Sequence, residues 1–231
     1  MSARDLVSDE ALLLASLVPL AGAKVVELGC GKAEFARRLV HRTPVASVTA
    51  LEVDAIQHAK NLASEHPQRL QFAFGGAEEI ALDADSVDGV VMMKSLHHVP
   101  IRFLDQALHE IARVLKPRGW FYASEPVYAG ELNEVVKLFH DEGEVRAAAH
   151  AALKRAHRDG VLTEEHEIEF MAPVEFRDFD DFAERVIHAT HSHHALSAEL
   201  LAQVRARFEA HMTADGAKFV RPMRVNLMRK S

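Results

Sequence analysis

The chain has one cysteine, Cys30, in 231 residues. No internal disulfide can form, which excludes a disulfide-stapled secreted scaffold. It also lacks a basic cluster. Its 27 Lys and Arg stand against 34 Asp and Glu, for a net charge of −7. No Lys/Arg face or stripe of the kind that grips nucleic acid is visible, so small or neutral partners are favoured over phosphate polymers. A membrane span is missing as well. The apolar stretch 11–20 is shorter than the ~20 residues that cross a bilayer, and Asp9 and Glu10 precede it where a signal peptide carries positive charge. The expectation is a cytoplasmic protein without membrane attachment, whose first residues form a helix packed on the core. Internal repeats, low-complexity linkers and a catalytic triad are absent too.

Hydrophobic residues make up 48% of the sequence, enough to bury a sizeable core, and the length suits one generous domain. The first half alternates strand and helix patterns, as in a parallel sheet with helices on its faces. Strands are expected at 24–28, 46–51, 70–74, 87–93 and 120–124. The fourth is nearly all apolar, which suits a strand covered on both faces. A helix is expected over 34–40. Asp54 suits a helix N-cap, with Gln57 completing a capping-box variant. Leu104, Leu108, Ile111 and Leu115 recur at helical spacing, and Pro117-Arg118-Gly119 stops that helix. Beyond residue 125 the pattern changes. Residues 131–157 read as helix-rich, 166–171 as a sixth strand, the stretch with Phe179, Phe182 and Val186 as a helix, and Ser197 as the cap of another. Alternation over 219–228 makes a last strand, with room for an antiparallel edge.

The strongest local signal is Val25-Val26-Glu27-Leu28-Gly29-Cys30-Gly31-Lys32-Ala33-Glu34-Phe35. A strand runs into Gly-x-Gly and then a helix. Glycines permit the sharp turn and let a ligand approach the backbone, and the helix amides then face that ligand. Glu52, at the end of the second strand and about 20 residues on, is placed to accept both hydroxyls of a ribose. Together these indicate a nucleoside-containing cofactor. A dinucleotide turn needs a third glycine, but Ala33 stands there, and the Glu34 carboxylate would repel a pyrophosphate. Glu27, just before the glycines, suits a cofactor that brings a cation, such as the amino group and sulfonium of S-adenosylmethionine (SAM).

Five segments in order resemble the class I SAM-dependent methyltransferases of the small-molecule type. They are Glu27-Leu28-Gly29-Cys30-Gly31; Leu51-Glu52-Val53-Asp54; Gly75-Gly76-Ala77-Glu78-Glu79-Ile80; Ser86-Val87-Asp88-Gly89-Val90-Val91 with Leu96-His97-His98-Val99; and Ile111 through Gly119. The resemblance covers about residues 20–125. It implies an α/β, Rossmann-like, doubly wound and mostly parallel seven-stranded sheet, with a helical insertion after strand 5 and an antiparallel edge strand. It implies a single SAM-binding domain over 1–231, with an N-terminal helix in 1–22, a cofactor-binding half in 23–125 and a substrate-side half with a helical lid in 126–231. By position, Gly29, Cys30 and Gly31 would pass the methionine part and ribose of SAM, Glu27 would hold its amino group, Glu52 its ribose, and Val53, Ala77 and Glu78 its adenine. Lys94 would lie near the cofactor through its backbone, its side chain directed away. Gly76 stands where the family commonly has an aspartate for the adenine amino group, a contact that Glu78 would replace.

Methyl transfer is an in-line displacement that needs alignment, exclusion of water and sometimes a base, and no enzyme nucleophile. The acceptor would sit beyond strands four and five, where His97, His98, Glu125 and Tyr128 follow. His98 and Tyr128 are the candidates for base or acceptor contact, although His98 also suits packing or strand capping. Four histidines crowd His188-Ala189-Thr190-His191-Ser192-His193-His194. Imidazoles ligate metals or contact substrate, yet the spacing is not that of a helix-face pair. His191, His193 and His194 are taken as substrate contacts, with no metal expected. Phe176, Phe179 and Phe182 read as an acceptor wall or, at their helical spacing, as core. The expected function is methyl transfer from SAM to a metabolite or natural-product intermediate, leaving S-adenosylhomocysteine, by a monomer or homodimer. The rivals are a catalytically silent SAM-binding regulator or partner subunit and an NAD-dependent oxidoreductase.

Overall fold

The computed structural model describes residues 5–188 and 196–230. These fall into two compact units. The larger holds 9–125, 145–168 and 224–230, and the smaller holds 5–8, 126–144, 169–188 and 196–223.

The larger unit is built on β1 (Lys24–Leu28), β2 (Ser47–Glu52), β3 (Leu70–Phe74), β4 (Val87–Met93) and β5 (Leu115–Pro126). Strands β1, β2, β3, β4 and β5 pair in parallel. With β6 (Thr163–Phe176), β7 (Met212–Thr213) and β8 (Gly216–Arg229), the sheet runs β3-β2-β1-β4-β5-β8-β6, with β7 beside β8. Arg118 and Gly119 exchange backbone bonds with Lys230 while Val127 donates to Pro222, so β8 runs antiparallel to β5. The expected seven strands lie along this path, and the two-residue β7 adds an eighth. The antiparallel strand lies inside the path, with β6 beyond it.

The helices of the larger unit are α1 (Glu10–Leu17), α2 (Glu34–Arg42), α3 (Ala55–Ala63), α4 (Leu104–Val114) and, counted after α5 (Glu131–Val136) of the smaller unit, α6 (Gly143–Arg158). Helix α2 buries Phe35, Ala36, Leu39 and Val40 and leaves its charged residues outside, the stripe that a period of 3.6 requires. Asp54 caps α3 by accepting from the Ile56 and Gln57 amides. The capping box is not closed, because the Gln57 side chain turns inward and donates to Asn61 Oδ1 at 2.9 Å. Helix α4 ends at Val114, so Leu115 begins β5 instead of continuing the helical stripe. Residues 131–157 form two helices, α5 and α6, with a break in which Asp141 Oδ1 accepts the Gly143 amide at 2.9 Å. One face of the sheet carries Val26, Leu28, Val90, Met92, Phe121 and Ala123 into an apolar core with Leu108, Ile111 and Leu153.

Helix α7 (Phe179–Phe182) continues into a π turn, Ala183–Ile187, and α8 (Ala198–Glu209) is capped by Ser197, as expected. Phe176, Phe179, Phe182, Phe208 and Phe219 form the core of the smaller unit. The aromatic spacing therefore marks core, not an acceptor wall. Among the described residues, no helix is long and apolar enough to cross a membrane.

Candidate functional site

The carboxyl ends of β1, β2, β4 and β5 in the larger unit gather most of the residues singled out in the sequence. The turn after β1 is strongly shaped. Gly29 and Gly31 have φ +67° and +53°, where glycine alone is unstrained. They are needed for different reasons. A Cβ on Gly29 would lie 2.8 Å from Ser95 Cβ, whereas a Cβ on Gly31 would meet nothing within 4 Å and would project into open space. Ser95 is tied down in turn, its hydroxyl donating to the Leu28 carbonyl at 2.7 Å. Ala33 keeps a glycine-like φ of +56° at the helix N-cap, a strain of about 1–2 kcal/mol for an L residue.

Glu52 links this turn to β2. One carboxylate oxygen accepts the Gly31 amide at 2.6 Å, and the other accepts the Val53 and Asp54 amides at 2.8 Å each. Its carboxylate is thus rigidly held and retains one lone-pair site, on the oxygen facing Gly31, for a further donor. Asn61 supports the turn from α3 by donating to the Gly31 carbonyl at 2.8 Å. This contact explains why α3 turns Gln57 and Asn61 inward. The Cys30 thiol is buried, and burial pushes its pKa up, so it is no nucleophile.

Glu27 is only 1% exposed, and its Oε2 has no hydrogen-bond partner. Burial pushes its carboxyl up to about 8; the Ala36 amide and the Lys94 charge oppose this, while Glu52 adds to it. An unpartnered buried carboxylate oxygen is costly, and a cation that supplies N–H donors would relieve the cost. Lys94 follows β4 in a left-handed conformation (φ +58°), with its amide donating to the Ser124 carbonyl at 2.7 Å and its side chain exposed.

Beyond Glu52, Val53 is 56% exposed and Phe74 60% exposed, two apolar side chains left open to solvent beside that carboxylate's strand end. Phe74 was not singled out in the sequence, where it reads as a strand residue. Ala77 is buried. The Glu78 carboxylate occupies the space that a side chain on Gly76 would enter. Gln106 fixes this segment by donating to the Glu78 carbonyl at 2.8 Å, and Glu110 accepts the Ile80 amide at 3.0 Å.

After β4 and β5, Glu125 accepts the Leu96 amide at 2.8 Å and makes a short contact with His97 Nδ1. His97 is 4% exposed, so this pair is inward and mutually engaged. His98 is exposed, with its ring centroid 4.1 Å from that of His97. Tyr128 belongs to the smaller unit. Its hydroxyl donates to Asp141, which raises its pKa and holds it as a phenol. His191, His193 and His194 lie outside the described residues. The residue most clearly missed is Glu10 on α1. Its carboxylate accepts from the Tyr122 hydroxyl at 3.2 Å, next to the carboxyl end of β5.

Residues 25–119 match a family described as a methyltransferase domain. An uncharacterized methyltransferase of Mycobacterium tuberculosis strain H37Rv is 35% identical over 128 residues, covering 52% of this chain and 49% of that one. The 27-O-demethylrifamycin SV methyltransferase of Amycolatopsis mediterranei is 32% identical over 111 residues, covering 46% and 40%. The chain thus spans about half or less of the length of these curated relatives. In three dimensions it resembles a candidate methyltransferase from an antibiotic biosynthesis pathway of Anabaena variabilis, with a TM-score of 0.70 at 14% identity, covering 98% and 99% of the two chains. The Rossmann-like fold expected from the sequence is shared with that structure, and the match to a methyltransferase domain covers residues 25–119.

Proposed function

We propose that this chain, whose residues 25–119 match a methyltransferase domain, transfers a methyl group from SAM to a small-molecule acceptor. The observation that carries the reading is Glu27, a buried carboxylate with an unpartnered oxygen, set before an open glycine turn. That arrangement suits a nucleoside cofactor bearing an ammonium and does not suit a pyrophosphate. The cofactor, when bound, supplies a methyl group on a sulfonium that is already a good leaving group.

The chain's own residues supply binding and order. Glu27 holds the amino group. The backbone of Gly29, Cys30 and Gly31 borders the methionine part and ribose without Cβ atoms in the way. Glu52, fixed by three amides, faces the ribose and receives a hydroxyl on its remaining lone-pair site. Val53 and Phe74 cover the adenine, with Ala77 beside it and Glu78 in place of the missing aspartate. Glu125 orients His97, and in the larger unit His98 is the group for acceptor contact or proton removal. Tyr128 lies in the smaller unit, and its single hydroxyl proton is already given to Asp141. The acidic balance and the small-molecule relative from Amycolatopsis support a small acceptor.

The test is calorimetric titration with S-adenosylhomocysteine, SAM and NAD at equal concentrations. Micromolar binding of the first two and none of NAD is the expected result. Binding of NAD alone overturns the roles given to Glu27 and Glu52. Turnover against a metabolite panel then separates an enzyme from a silent SAM-binding regulator.

A further inference from the structure

The amino ends of β1, β4 and β5, in the larger unit, border a cavity of about 260 Å³. Strand register explains the opening. Val87 pairs with Leu115 and Gly89 with Trp120, so residues 116–119 stand opposite Asp88 alone and arch out of β5. At the crest of the arch Arg118 holds φ +65°, a left-handed backbone uncommon for arginine. Its amide is tied to the Lys230 carbonyl at 3.1 Å. Pro19 and Pro117 give the cavity apolar walls, and Trp120 lines it as well. Trp120 is the only tryptophan of the chain and is 2% exposed. Among the described residues its indole N–H has no acceptor, yet it is not one of the polar atoms sealed in the core, so it opens on the cavity that the ring lines.

Four charged side chains border the same space, Asp88, Lys116, Arg118 and Arg229. Each oxygen of the one acid is already engaged. Asp88 Oδ1 accepts the Lys116 ammonium at 2.6 Å, and Oδ2 accepts the Lys24 amide at 2.8 Å. Arg229 donates through Nε to Glu165 at 2.7 Å and through Nη1 to the Arg118 carbonyl at 3.4 Å, and it keeps further N–H groups to give. The exposed Arg118 guanidinium has no partner among the described residues. The side-chain groups left unengaged here are therefore donors, in a chain whose net charge is −7. Their complement is an acceptor that carries negative charge.

We propose that this cavity binds a small molecule in which a carboxylate or a phosphate monoester is carried on a flat apolar body. Arg118 and the indole N–H hold the anion, with Arg229 beside them, and the body lies against the two prolines. The volume falls below the roughly 300–1,000 Å³ of sites for drug-sized ligands, which limits the body to about one ring. Strand β1 puts about 13 Å between this cavity and the carboxyl end that carries Glu27, so the site is separate from the one given to SAM and does not rest on that reading.

A single tryptophan makes fluorescence specific to this cavity. The experiment titrates the protein with benzoate, with phenyl phosphate and with benzamide, the uncharged analogue of benzoate. A saturable change in the millimolar range or below with at least one anion, and none with benzamide, is the expected result. The anion that binds more tightly identifies the group the site takes. Arg118→Gln should weaken that anion about 10–100-fold, the worth of charge-assisted hydrogen bonds, and leave the thermal melt unchanged. If Arg118→Gln does not fold, Arg118→Gly, which suits the left-handed backbone, decides in the same way. No saturable change with either anion, an equal response to benzamide, or an affinity that survives loss of the arginine overturns the proposal. Saturating S-adenosylhomocysteine should leave the anion's affinity within about twofold, as for independent distant sites. Displacement of the anion by S-adenosylhomocysteine puts it at the other end of the sheet and overturns the assignment.

Discussion

Replacing Glu27 by glutamine should stabilise the protein and weaken the proposed cofactor site at once. The Glu27 carboxyl sits at about 8 in the folded chain against an ordinary 4.5. Between those values the folded protein keeps a proton that the unfolded chain releases. The raised value therefore leaves stability intact below pH 4.5 and erodes it as pH rises, until the folded group itself ionises near 8. Each pH unit in that window costs about 1.4 kcal/mol, so the loss reaches about 3 kcal/mol at pH 7 and about 5 kcal/mol at pH 8. Glutamine keeps the shape and the acceptor but cannot ionise. Its buried NH2 takes the place of the equally unpartnered end of the neutral acid. Urea unfolding at pH 5, 6, 7 and 8 should give nearly equal stabilities at pH 5 and a widening advantage for Glu27→Gln above it. At pH 7 the advantage corresponds to about 6–12 °C in Tm for a chain of this size. The same variant should bind S-adenosylhomocysteine about 10–100-fold more weakly, the worth of a charge-assisted hydrogen bond. Parallel stability curves from pH 5 to 8, or a less stable variant at pH 8, would refute the reasoning, because Glu27 would then be ionised and paired without any ligand.

Gly89→Ala should cost about 2–3 kcal/mol, because its Cβ would enter the indole of the buried Trp120 on the neighbouring strand, and an unchanged Tm would rule this out. Glu52→Gln should weaken S-adenosylhomocysteine binding and cost about 1–3 kcal/mol of stability, because an amide group cannot accept from Gly31 on one side and from Val53 and Asp54 on the other. Equal affinity by calorimetry would count against the ribose role. At Glu167, burial pushes the carboxyl up, but Lys154, His150 and Asn226 outweigh it and hold the group at about 2. With a third of its side chain exposed, Glu167→Gln should cost about 1 kcal/mol at pH 7 after solvent screening. That contribution is present above pH 4.5 and lost as pH falls through 2, so the two proteins should converge in acid.

The strands β1 to β4 and the turn after β1 were legible because their signals are local: apolar runs, glycines and an N-cap. Glu27 and Glu52 were singled out by their offsets from that turn. Distances along the chain limited the rest. Glu10 meets Tyr122 across 112 positions, and nothing in the α1 sequence sets it apart from a solvent-facing acid. Asn61 reaches the Gly31 carbonyl across 30 positions, and in sequence it is an ordinary polar helix residue. Other misses were readable in principle. The break between α5 and α6 carries Asp141 two residues before Gly143, a turn signal that the helical stripe overrode. Leu115 fits both the end of the α4 stripe and the start of β5, and periodicity cannot separate the two at a junction.

Strand β8 lies between β5 and β6 in the sheet, yet it follows every other described strand along the chain. On a ribosome that emits residues in order, β5 and β6 leave first, and each must wait with a ladder of unsatisfied amides and carbonyls. An open pair of strand edges is a template for intermolecular pairing. Synthesis rate and chaperone supply should therefore govern the yield of this protein more strongly than its final stability does, and a chain halted shortly before residue 216 would aggregate instead of persisting in a partly folded state.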